Sequence, residues 1–268
     1  MTRPVPILLY HSIADEPSSK FEDWTVPVKA FDQHMQYLAA QDYTTFTITE
    51  LAQRMGNPQM PLPEKTVAVT FDDGLADFYT SAYPTLKRYH IASTMYVPTA
   101  YVGHTSRWLK REGMGDYPVM HWDQILELAG NGVEFGGHSH HHVQLDLMPH
   151  DEAQHEISRC RMEMEEHLKR PIETFAYPHG YYSAAVRELV VKTGYTSACG
   201  VKNALSSMDD DRFALARVIV TPRMNVEQLG RILSGRTLAI APGQERRRTR
   251  VWRHARSVMA QLDRIRAG

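Results

Sequence analysis

Two short stretches of this chain carry side chains that could do hydrolytic chemistry together. Thr70-Phe71-Asp72-Asp73-Gly74 closes an apolar run with two adjacent carboxylates. His138-Ser139-His140-His141-His142 follows a second such run and sets two imidazoles at i, i+4 spacing. One carboxylate and two imidazoles can hold a divalent metal and leave a coordination position for water. The other carboxylate is then free to take a proton from that water. Each stretch has a plainer reading by itself. Asp-Asp-Gly is ordinary turn chemistry, and a histidine tract suits a solvated loop. Found together, each at the end of an apolar run, they point to a metal-dependent hydrolase.

The elements that must position these groups follow from the hydropathy pattern. Short apolar runs predict strands at 6–10, 66–71, 93–97, 133–136, 174–177, 197–199 and 216–220. Helical spacing predicts helices at 28–41, 77–88, 122–131, 149–168, 183–193 and 226–233. Strands that alternate with helices imply a parallel sheet, open or closed. Polar residues gather at strand ends: His11, Asp72 and Asp73, His138, and Pro178-His179-Gly180. A parallel barrel brings such ends to one face, where barrel active sites form. Arg217 is the exception, because it opens its strand. Adjacent residues on a strand point to opposite sides. Gly74 permits a turn that lets Asp72 and Asp73 reach one site. His138 and His142 would share a face if their segment were helical, with His140 and His141 pointing elsewhere.

These residues resemble the polysaccharide deacetylases of carbohydrate esterase family 4, the NodB-homology domain. That family carries Thr-Phe-Asp-Asp-Gly and His-(Ser/Thr)-x-x-His, matched here at 70–74 and 138–142. The resemblance spans roughly residues 5–235. It implies an α/β fold, a distorted (β/α)7 barrel, and a divalent metal. Zinc is the first expectation, and cobalt, nickel or iron suit the same donors. It makes Asp73, His138 and His142 the ligands and Asp72 the general base. The motif order is most similar to the branch that deacetylates poly-N-acetylglucosamine. That branch opens with a Tyr-His motif, here Tyr10-His11, and carries Phe-Ala-Tyr-Pro-(Tyr/His)-Gly, here 175–180.

Two departures from the wider family stand out. Its third motif, Arg-x-Pro-Tyr, has Ala176 at the Arg position and His179 at the Tyr position, leaving Arg217 as the candidate replacement guanidinium. Its late histidine, the general acid, is missing, since no His lies between His179 and His254. The branch resemblance gives that role to His11; the alternative is a structural histidine bonded to a backbone carbonyl. Tyr177, His179 and Arg217 complete the expected substrate and oxyanion side. The implied reaction removes N-acetyl groups from an N-acetylated amino sugar in a polysaccharide, oligosaccharide or lipid-linked precursor. O-acetyl esters, other amides, and an inactive carbohydrate-binding barrel are the competing readings.

Composition sets the remaining bounds. The chain is 43% hydrophobic, enough for a substantial core, and its formal charge of −1 gives no general pull towards nucleic acid. Cys160 and Cys199 fit no CxxC pattern. The N-terminus lacks a signal-peptide pattern and no apolar run could span a bilayer, so the expectation is a cytoplasmic protein, either free or at the inner face of the membrane. Residues 1–240 should form the barrel and 241–268 a basic amphipathic helix. Arg246, Arg247, Arg248, Arg250, Arg253 and Arg256 supply the charge, and Val251, Trp252, Ala255, Val258, Met259 and Leu262 the apolar stripe. Such a helix either packs on the barrel, contacts a partner, or lies on an anionic membrane. Trp108, Tyr117, Trp122, Tyr181 and Tyr182 are candidate sugar-stacking aromatics, Trp122 also suiting a helix start. The loop 104–121 has the length of a substrate lid.

Overall fold

A computed structural model describes residues 3–242 apart from Gly56 and Pro58. The expected tail helix therefore falls outside the described residues from 243 onward. The main sheet has eight strands. They are β1 (Ile7–Tyr10), β2 (Thr44–Phe46), β3 (Thr66–Phe71), β4 (Ser93–Val97), β5 (Glu134–Gly137), β6 (Thr174–Ala176), β7 (Ser197–Cys199) and β8 (Val218–Ile219). Their order is β7-β6-β5-β4-β3-β1-β8, with β2 also pairing to β3, and every pairing is parallel. Leu215 bridges Cys199 of β7, while Val218 and Ile219 pair with Leu8 and Leu9 of β1. The segment 215–219 therefore spans the gap between the sheet's two ends and curls it into a distorted barrel.

The helices are α1 (Val28–Ala40), α2 (Ile48–Arg54), α3 (Tyr83–Arg88), α4 (Trp122–Gly130), α5 (His150–Leu168), α6 (Ala184–Thr193) and α7 (Val226–Leu233). All seven expected strands are present with small shifts at their ends. The sequence reading missed β2 and α2. β2 is only three residues long and Thr44 is exposed, so it has no clear apolar signature. α2 did carry a signal: Thr47 and Glu50 form a reciprocal capping box. The stretch 77–88 is not one regular helix. A wide turn at Phe78–Ala82, in which the Tyr83 N–H reaches the Phe78 carbonyl, precedes α3. Pro84 has no N–H to continue a regular ladder there.

Alternation along β3 divides the core. Val67, Val69 and Phe71 point outward and pack with Phe31, Met35 and Leu86 beneath the helices. Ala68 points inward with Ile7, Tyr96, Ala176 and Cys199. Each large side chain fully buried this way stabilises the fold by roughly 1.5–3 kcal/mol. Ile48 and Leu51 of α2 join the inner cluster. Glu134, the first residue of β5, accepts hydrogen bonds from the Ile48 N–H at 2.9 Å and the Thr49 N–H at 3.3 Å. α2 is thus held near the N-terminal ends of the strands, leaving the C-terminal ends for the polar residues. Gly136 is needed where β4, β5 and β6 pass: a Cβ there would lie 2.5 Å from the Tyr96 ring and 2.8 Å from Thr174. No helix among the described residues is long and apolar enough to cross a membrane.

Candidate metal centre

The inward face of β3 runs through Ala68 and Thr70, and the same two-residue period carries Asp72 into the barrel mouth. Asp73 would face outward on that period. Its backbone is instead left-handed, φ 78°, and Gly74 follows at φ 66°. This turn brings both carboxylates to one place, and both are buried. Such a φ costs a non-glycine residue on the order of 1–3 kcal/mol. Ser139, His142 and His179, around the same site, also have positive φ.

The histidine segment is not helical. Left-handed turns at Ser139 and His142 bring the i, i+4 pair together, so the pairing holds although its helical premise does not. His138 Nδ1 lies 2.8 Å from the Ala176 carbonyl and donates to it. Nε2 is then the lone-pair nitrogen, 3.9 Å from Asp73 Oδ1 and 3.7 Å from Asp72 Oδ2. His142 Nε2 lies 3.1 Å from Asp73 Oδ1. Ligand atoms of Asp73, His138 and His142 all lie within 4.8 Å of one another. Asp73 Oδ1 is buried without a hydrogen-bond donor of its own. Two imidazole nitrogens and a carboxylate oxygen converging on one point fit a divalent cation. Burial pushes the His138 imidazole down to about 4 against the pull of Asp72, so it is neutral at physiological pH, as a ligand must be. Burial pushes Asp73 up, but His142, with His11 and His138, outweighs it and the carboxyl lies below its ordinary range. His140 and His141 turn away, to Thr99 Oγ1 at 2.8 Å and Glu156 Oε1 at 2.7 Å.

Arg217 is fully buried just before β8. Its two terminal nitrogens donate to Asp72 Oδ1 and Oδ2 at 2.6 and 2.7 Å, and Nε donates to the Gly200 carbonyl at 3.2 Å. The Tyr96 ring lies 5.3 Å from its guanidinium carbon. The guanidinium that Ala176 cannot supply from β6 thus comes from the approach to β8. Sequence reasoning gives Arg217 two places, as the replacement for the guanidinium that orients the base and on the substrate side; its fork lies on Asp72, as the first of these requires. Burial raises the Asp72 carboxyl, but Arg217 and then His138 overcome this and hold it below its ordinary range. Asp72 is therefore ionised, oriented and available as a base.

His11 follows β1 and is electrostatically coupled to Asp73 and Asp72. Its ring lies edge-on to Trp24 at 5.2 Å, and its Nδ1 is buried without a partner, unlike a carbonyl-bonded structural histidine. Burial lowers its imidazole below the ordinary value, partly opposed by Asp73 and Asp72. Tyr177 is not brought to the site: its hydroxyl donates to the Phe213 carbonyl at 2.9 Å, and its ring stacks on Tyr182 in the core. His179 is exposed, with its ring 4.7 Å from that of His142.

The loop 104–121, whose length suits a lid, walls one side of the site and is bonded to the segment that follows Asp73. The Met120 N–H bonds the Gly74 carbonyl and the Ala76 N–H the Pro118 carbonyl, both at 2.9 Å. Its Trp108 packs 5.4 Å from the His142 ring and 4.5 Å from Tyr101. Trp122 stacks on His167 at 3.9 Å, as a helix-start residue. Sequence reasoning missed Trp24, which lies beside His11 yet carries no local motif, and Asp77, four residues beyond Asp73.

A sequence profile described as polysaccharide deacetylase matches residues 59–198. YxkH of Bacillus subtilis (strain 168), whose name places it in the same family, is 29% identical over 226 residues, covering 84% of this chain and 75% of that one. Poly-beta-1,6-N-acetyl-D-glucosamine N-deacetylase of Staphylococcus aureus is 21% identical over 213 residues, covering 76% and 70%. Among solved structures, Streptococcus pyogenes deacetylase PplD in complex with acetate superposes with a TM-score of 0.76 at 25% identity, over 87% of this chain and 99% of that one. IcaB from Ammonifex degensii superposes with a TM-score of 0.73 at 22% identity, over 87% and 96%.

Proposed function

The chain belongs to the polysaccharide deacetylase family, and from that premise we propose that it is a metal-dependent hydrolase acting on N-acetylated amino sugars. The substrate is a polysaccharide, an oligosaccharide or a lipid-linked precursor. One observation carries this reading: three convergent ligand residues lie beside a second carboxylate that a buried arginine holds ionised. A divalent ion, zinc first, held by Asp73, His138 and His142 would supply an acidified water and positive charge for the developing oxyanion. Asp72 accepts a proton from the attacking water. Arg217 keeps that carboxylate aimed. The ring contact between His179 and His142 supports giving the His179 turn a backbone donor role towards the oxyanion. His11 protonates the leaving nitrogen as the C–N bond breaks, because an amide anion is too basic to leave. The donating form is the imidazolium, which the lowered pKa makes a stronger acid but scarcer at neutral pH, and the proton taken up by Asp72 restores it after turnover. The products are acetate and a free amino sugar.

The name of the staphylococcal relative supports β-1,6-linked N-acetylglucosamine as the first polymer to try. The Asp72–Arg217 pair counts against an inactive sugar-binding barrel, because it supplies the guanidinium whose absence from β6 favoured that reading. A site of action at the inner membrane face, with the basic tail on anionic lipid, belongs to the same proposal. Loss of liposome flotation on removing residues 243–268 would support it; unchanged flotation would sink it. Substrate class is tested by incubating zinc-loaded protein with β-1,6-linked N-acetylglucosamine oligomers and, separately, with O-acetylated xylan. New free amines on the oligomers are the expected product. Acetate from xylan alone would make the enzyme an esterase.

A further inference from the structure

Asp77 lies on the same loop as the two site carboxylates, is buried, and makes no ion pair among the described residues. Its Oδ2 accepts from the Ser12 hydroxyl, the Ile13 N–H at 3.2 Å and the Tyr117 hydroxyl at 3.3 Å. Its Oδ1 is buried without a partner, and its side chain does not cap the turn that follows. These donors belong to different parts of the site. Ser12 and Ile13 directly follow His11, and they pair in parallel with Thr25 and Val26, which directly follow Trp24. Tyr117 belongs to the wall loop whose Trp108 packs against His142. One carboxylate oxygen thus joins the His11–Trp24 ribbon and the Trp108 wall to the Asp72–Asp73 loop. Burial pushes this carboxyl up to about 6 despite its donors, so the arrangement is held at a cost.

We propose that Asp77 is a positioning residue that clamps the His11 ribbon and the Trp108 wall onto the metal-ligand loop, setting where His11 stands relative to the leaving nitrogen. The assignment of His11 as proton donor rests on the function proposed above; the clamp itself does not. Placement errors of about 1 Å cost about a hundredfold in turnover. Asp77→Ala should therefore lower kcat by about 10- to 100-fold, with zinc content unchanged. Asp77→Asn should recover most of that loss, because its amide oxygen can accept the same bonds. Ser12→Ala should lower kcat with little change in KM, and Tyr117→Phe should chiefly raise KM, because they release opposite sides of the clamp.

Amide hydrogen exchange at Ile13 reads the clamp without any substrate. In Asp77→Ala it should quicken on the order of tenfold while β3 stays protected. If Asp77→Ala does not fold, the Asn, Ser12 and Tyr117 variants carry the test. Wild-type-like kcat and Ile13 exchange in Asp77→Ala would overturn the clamp. So would zinc loss and β3 exposure that accompany the lost activity, or failure of Asn to rescue, since both mark a general structural role. A wild-type protein that releases no acetate would defeat the functional proposal instead, and Ile13 exchange would still decide the clamp.

Discussion

Arg217→Met is the substitution with the sharpest expected consequence. Both terminal nitrogens of Arg217 bond Asp72, at 2.6 and 2.7 Å, and both side chains are buried. Methionine keeps much of the apolar stem and removes the fork, leaving a buried carboxylate without its counter-charge. Breaking a buried pair from one side costs about 3–5 kcal/mol. For a chain of this size that is roughly 6–20 °C in melting temperature. Burial raises Asp72 and Arg217 is the chief force opposing it, so the variant's carboxyl should titrate higher. The ionised carboxylate is the form that accepts a proton. The acid limb of kcat/KM should therefore move to higher pH, and kcat at neutral pH should fall about 10²- to 10³-fold. Arg217→Lys should fall between, having charge without the planar fork. The stability difference has its own pH signature. The wild-type Asp72 carboxyl lies below its unfolded value, so its contribution is fully present above about pH 4 and is lost as pH falls through the folded value. The two proteins should converge in stability in acid. The assay is acetate release from about pH 5 to 9 on protein of measured zinc content, with calorimetry alongside. An unmoved acid limb with near-wild-type kcat would refute the role given to the pair.

Four further outcomes follow from the same geometry. Asp72→Asn should abolish turnover while keeping zinc; if it lost zinc instead, ligand and base would have to be exchanged. Asp73→Ala and His138→Ala should each leave dialysed protein nearly free of zinc by elemental analysis. Trp108→Ala uncovers one side of His142, so zinc should pass to a competing chelator faster than in wild type, as absorbance of the chelator complex would record. The folded Asp77 carboxyl titrates near 6, above its ordinary 3.8, so its ionisation costs stability as pH rises from about 4 through 6, by about 3 kcal/mol at most. Asp77→Asn should flatten that fall in melting temperature between acid and neutral pH; an unchanged slope would count against it.

What could be read from the sequence divides along physical lines. Strand 66–71 is β-branched or aromatic at every position but Ala68, and helices such as 226–233 have a clear apolar face, so local pattern fixes them. The ligands were legible because their types and spacing are unusual together. Their route to one point was not: Asp73 gets there by a left-handed backbone and His142 by another, and although Asp and His adopt positive φ more often than most residues, they do so too rarely for the sequence to announce it. Arg217 was named for want of any other guanidinium, yet its bond to Asp72, from a distant strand, depends on how the barrel closes. Tyr177 was misassigned because motif position says which strand end a residue occupies, not which side of it its side chain faces. Trp24 and Asp77 were invisible for a similar reason, each acquiring its neighbours only through tertiary folding.

The most direct measurement is acetate release from short β-linked N-acetylglucosamine oligomers by one preparation in three states: as loaded with zinc, stripped by chelator, and reloaded. The account predicts release from the loaded protein, its loss on stripping, and its return with close to one zinc per chain. Release that survives complete stripping would contradict the metal-dependent mechanism, and no release from fully loaded protein would contradict the proposed substrate.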